Sequence, residues 1–62
     1  MLTAKQIINR FDGAKKLSDE LALPLTTVAS WTAANFIPEW RQRDVLAAAQ
    51  RLGVALSTAD FP

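Results

Sequence analysis

The segment GAKKLSDELALPLTTVASW, residues 13–31, places its large apolar side chains at Leu17, Leu21, Leu23, Val28 and Trp31. Leu17 and Leu21 are four apart and stack on one face of a helix. Val28 and Trp31 are three apart and do the same on a second helix. Between the pairs the chain breaks: Ala22 is small, and Pro24 holds Leu23 extended. The segment therefore reads as two short helices whose apolar faces converge across a tight turn.

Such a pair forms a helix-turn-helix. In these residues the chain resembles small phage and prophage regulators of the Cro/repressor type, the YdaS-like antitoxin regulators included. Ser18 matches the small residue midway along their first helix. Ala22 and Leu23 stand where a Gly and an apolar residue usually open the turn. Val28 and Trp31 match the inward aliphatic residue and Trp of the recognition helix, and Phe36-Ile37-Pro38 before a further helix also fits. The resemblance covers residues 4–53. It implies an all-α, four-helix, lambda-repressor-like DNA-binding domain with a short C-terminal tail. It also implies a transcriptional regulator, a Cro-like repressor, dimeric on a double-stranded DNA operator in the cytoplasm of a bacterial host. At position 24 these regulators commonly carry Ser or Thr, which caps the helix and can touch phosphate; Pro24 lacks that side-chain bond.

Sixty-two residues allow one domain with a small core. Half of them are hydrophobic and only two are glycine, which argues against disorder. Cys and His are both absent, so disulfides and Cys or His metal sites are excluded, and no cofactor is expected. No apolar run reaches membrane-span length and the N-terminus lacks a signal-peptide layout, so no membrane association is expected. Seven basic against six acidic residues leave a net charge of +1, modest for a nucleic-acid-binding chain. The distribution says more: Lys15 and Lys16 open one helix, Arg41 and Arg43 another.

Along the chain, Thr3 is the expected N-cap of a helix over 4–11, with Ile7, Ile8 and Phe11 in the core and Asp12-Gly13 as its stop. The second helix, 14–21, carries Lys15 and Lys16 in its first turn and Asp19 and Glu20 in its last. Each charge opposes the helix dipole at a cost of ~0.3–1 kcal/mol. Two readings fit: the first turn receives a phosphate, or Lys15–Asp19 and Lys16–Glu20 pair at four-residue spacing.

The third helix, 25–34, has Val28 and Trp31 inward. Leu25, Thr26, Ala29, Ser30 and Ala33 face outward, and Thr27 lies at the boundary. That outward face has no charge, which suits an interaction surface better than a solvated one. In a major groove, Thr26, Thr27 and Ser30 can exchange hydrogen bonds with base edges, while Leu25, Ala29 and Ala33 can touch thymine methyl groups. None is a bidentate Arg–guanine or Asn–adenine reader, so specificity is expected to be moderate, or supplemented by DNA shape and dimer spacing. A bundle helix covered in an oligomer is the plainer alternative.

Phe36 and Ile37 are expected to plug the core, and Pro38 to begin a fourth helix over 38–52. Val45, Ala48, Ala49 and Leu52 form its inward stripe, and Trp40 is expected in the core rather than on the surface. Lys15, Lys16, Asn35, Arg41 and Arg43 are the expected phosphate contacts. For the arginines the competing reading is a Glu39–Arg43 and an Arg41–Asp44 pair. The tail, 53–62, either covers the core through Leu56 and Phe61 or pairs with a second protomer.

No nucleophile–base set, glycine-rich phosphate loop or spaced carboxylate pair is present, so neither an enzyme nor a small-molecule substrate is expected. The rival to a DNA-binding regulator is a protein-binding module that uses the uncharged face of the third helix.

Overall fold

The computed structural model describes residues 1–62 and is all-helical: α1 Ala4–Asn9, α2 Ala14–Leu21, α3 Leu25–Ala34 and α4 Glu39–Leu52, then a single 3-10 turn at Thr58–Asp60. Thr3 starts α1 through a capping box. Its hydroxyl accepts the Gln6 N–H at 3.1 Å, and the Gln6 side-chain oxygen accepts the Thr3 N–H at 2.9 Å. The helix ends at Asn9, two residues short of the expected Phe11. The reason is that Asp12 (φ 64°) and Gly13 (φ 107°) both leave the right-handed region, and the chain tightens before them into a turn closed by Phe11 N–H to Ile8 C=O at 3.0 Å. Phe11 reaches the core from that turn, only 4% exposed.

The break between α2 and α3 has the expected site and an unexpected conformation. Ala22 is left-handed (φ 56°, ψ 40°), and the next N–H, from Leu23, returns to the Ser18 carbonyl at 2.9 Å. Pro24 is extended (φ −59°, ψ 142°) and leads into α3. Asn35, also left-handed, closes α3, and Gly53 closes α4. Pro38 is the residue before α4 rather than its first: at ψ 140° it is extended, while its carbonyl accepts the Arg41 and Gln42 N–H groups.

α3 packs on α1 and α2, and α4 packs on α2. Their inward faces meet in one core of Ala4, Ile7, Ile8, Phe11, Leu17, Val28, Trp31, Ile37, Val45, Ala48, Ala49 and Phe61. Removing each fully buried Ile, Leu or Val from water contributes about 1.5–3 kcal/mol. The tail covers this core from within the same chain. Phe61 is buried, Leu56 packs beside it, the Leu2 N–H donates to the Asp60 carbonyl at 2.7 Å, and the Arg10 guanidinium donates to the Ala55 carbonyl at 2.6 Å.

Three expected core residues lie outside it: Phe36, Trp40 and Leu52 are 53%, 69% and 52% exposed. In the loop before α4, Ile37 takes the buried place and Phe36 beside it faces out. On α4, Trp40 lies about 130° round the helix from the mean direction of Val45, Ala48 and Ala49. Leu52 has the inward register but falls in the last turn, on the rim of a cleft shared with Arg10, Phe11, Lys16 and Val54. No helix is long and apolar enough to cross a membrane.

Candidate functional site

The outward face of α3 carries no charge. Its ten residues include no acid and no base. Val28 and Trp31 anchor the opposite face at 0% and 4% exposure, which fixes the rotation of the helix. Leu25, Thr26, Ala29, Ser30 and Ala33 are consequently exposed, with Leu25 at 45%, and Thr27 is half-buried at the boundary. Six positions expected to touch a partner thus lie together along one side of one helix, Thr27 at its edge.

Their hydrogen-bonding capacity is narrower than residue type suggests. The Ser30 hydroxyl donates to the Thr27 carbonyl at 2.6 Å. Its proton is committed to its own helix, leaving the oxygen to accept. The Thr26 hydroxyl makes no bond within the chain and can do either. Leu25, Ala29 and Ala33 offer only apolar contact.

The helix before this face begins without a side-chain cap. Gly13 precedes α2 and has no side chain to bond the first-turn amides. The Ala14, Lys15 and Lys16 N–H groups therefore retain their donor capacity, with Lys15 and Lys16 beside them. Midway along the same helix, the Ser18 hydroxyl, though nearly fully buried, is satisfied by donating to the Lys15 carbonyl at 2.8 Å.

The five residues expected at phosphate divide sharply. Lys15 pairs with Asp19 at 2.8 Å, both ends well exposed. Such a surface pair contributes about 0.2–1 kcal/mol and exchanges readily with another anion. Lys16 has no ion pair: Glu20, its partner in the alternative ion-pair reading, bonds Arg51 at 2.8 Å instead. Arg41 lies over the Trp40 ring at 4.0 Å and 3.5 Å from Asp44, so its guanidinium is already engaged. Arg43 is exposed, and the Glu39 pair of the competing reading does not form. Asn35 is engaged elsewhere, since its side-chain oxygen accepts the Ala4 N–H at 2.9 Å, leaving only the amide NH₂ free.

No single cleft is lined by two of these groups. Lys16 lines a cleft with Arg10, Phe11, Asp12, Glu20, Leu52 and Val54, whereas Arg43 lines others with Glu39 and Trp40 and with Gln42, Leu46 and Thr58. No group of three or more acidic side chains comes together as a metal-binding cluster. The Arg41–Trp40 stack was missed in the sequence; the register of α4 was the available signal. The Asn35 tie and the Arg51–Glu20 pair link residues 31 apart, and no local pattern announces either.

No family model, no curated protein and no solved structure matches this chain.

Proposed function

We propose that the chain is a sequence-specific, double-stranded DNA-binding regulator in which α2 and α3 act as a helix-turn-helix. α3 enters the major groove with Leu25, Thr26, Thr27, Ala29, Ser30 and Ala33 toward the bases. The observation that carries this reading is the exposed face of α3, free of charge along its whole length and held in rotation by two buried anchors. A face that only meets water does not need to exclude Lys and Glu.

The uncapped first turn of α2 supports the same docking. Its free amides and the unpaired Lys16 ammonium receive one phosphate. Lys15 can join by releasing Asp19, and Arg43 and the Asn35 amide extend the backbone contacts. Two protomers read half-sites one helical turn, about 34 Å, apart, and repress by covering a promoter in a bacterial cytoplasm. A dimer that neutralises about 6–8 phosphates loses affinity with salt at a log–log slope of about −5 to −7.

The second reading, a protein-binding module, draws on Leu25, whose exposed aliphatic side chain suits an apolar partner as well as a thymine methyl. Selection of binding sites from random duplex DNA at two salt concentrations separates the two. Enrichment of an inverted repeat that weakens steeply with salt supports the regulator. No enrichment at low salt overturns it in favour of the protein partner.

A further inference from the structure

Among the large apolar side chains outside the core, Trp40 is the most exposed aromatic, at 69%. Arg41 covers part of the indole by stacking 4.0 Å from its centroid. Trp40 also lines an open cleft of about 450 Å³ with Glu39 and Arg43. These two charges are four positions apart, the spacing at which a carboxylate followed by a cation normally pairs on a helix. They do not: the ion pairs of the chain are Lys15–Asp19, Arg41–Asp44 and Arg51–Glu20.

A tryptophan flanked by one unpaired acid and one unpaired base is complementary to itself. Under a two-fold rotation each charge meets its opposite, as an isologous contact requires. We propose that this face of α4 binds a second copy of the chain. The two α4 helices cross antiparallel at their N-terminal halves, Glu39 of each protomer reaches Arg43 of the other, and the Trp40 side chains stack between them. The tail does not compete for this role, because Phe61 is spent on its own core. Trp and Arg are the residues on which interface energy concentrates. One guanidinium has five donors, so Arg43 can bond Glu39 of the second copy and still reach a phosphate. A single helix pair buries less than the roughly 1,200 Å² of a stable interface, so the free protein is a concentration-dependent monomer–dimer mixture.

This surface specifies the dimer that the proposed regulator requires, but its test needs no DNA. Sedimentation equilibrium of the full chain across a concentration series reads the association directly. The expected result is a reversible dimer weakened about tenfold or more by Trp40→Ala, and weakened by Glu39→Arg and by Arg43→Glu separately. Mixing those two charge variants in equal amounts restores association, because the heterodimer recovers both pairs. All three positions are exposed, and an unchanged far-ultraviolet circular dichroism spectrum verifies that each variant folds. A wild-type chain that stays monomeric, a dimer indifferent to Trp40→Ala, or charge variants whose mixture fails to associate overturns the proposal. A monomer that still enriches an operator overturns this dimer alone, while a dimer that enriches none overturns the DNA reading alone.

Discussion

The Asn35 side-chain oxygen accepts the Ala4 backbone N–H at 2.9 Å, so the residue that ends α3 also satisfies the start of α1. Thr3 bonds the Gln6 amide, and Asn35 takes a donor Thr3 leaves free. Asn35 sits at φ 50°, where a short polar side chain is tolerated better than most. Asn35→Gly keeps that backbone and loses the bond, at an expected cost of about 1 kcal/mol. Asn35→Ala adds left-handed strain of about 1 kcal/mol more. Asn35→Asp retains the acceptor and adds a charge that a helix N-terminus favours. It should keep wild-type stability in urea denaturation while weakening any DNA complex through repulsion of phosphate.

Ala22 carries the same left-handed strain with no side-chain bond to offset it (φ 56°). Ala22→Gly should stabilise the fold by roughly 0.5–1 kcal/mol, the relief of strain exceeding glycine's entropic cost. In a domain of this size, that is a rise in Tm of several degrees by thermal melting. A lower Tm would show that the Ala22 methyl makes a packing contribution greater than the strain.

Phe61 and Phe36 test how the core is closed. Phe61 is 7% exposed and Phe36 53%. Phe61→Ala should cost about 3–5 kcal/mol, a large share of the stability of so short a chain. Phe36→Ala should cost under about 1 kcal/mol. Chemical denaturation of both variants checks the contrast; equally large losses would place Phe36 in the core, and equally small ones would deny the tail its role.

For DNA binding, Lys16→Ala should lower the salt slope by about 1 per protomer with little change in site preference. Lys15→Ala should lower it less, since Asp19 competes for that ammonium. Fluorescence anisotropy of a selected operator duplex across a salt series measures both, and an unaltered slope for Lys16→Ala would remove the α2 N-terminus from the phosphate contacts.

The pairs Leu17/Leu21 and Val28/Trp31 made α2 and α3 legible, because helical spacing and a proline are local signals. The exposed face of α3 followed from the same spacing, since choosing two inward residues sets the other eight. Trp40 and Phe36 were misplaced for a different reason. Their hydrophobicity argued for burial, but the direction of each was already set by Val45 and Ile37, and a core this small had no second seat. Lys16 and Asn35 depended on long-range partners: Glu20 is taken by Arg51, and Asn35 is taken by Ala4. Spacing rules see only neighbours along one helix, so the ion-pair alternative they offer for Lys16 uses a carboxylate already taken.

The bond from Leu2 to Asp60 brings these two residues side by side. The stretch between them is already nearly a closed ring. A crosslink between the two would ask for no rearrangement of the helices. Closing a loop of about 60 residues removes unfolded-chain entropy worth about 4 kcal/mol, and the ring could then be reopened at an exposed bend such as Asp12-Gly13 without moving α3.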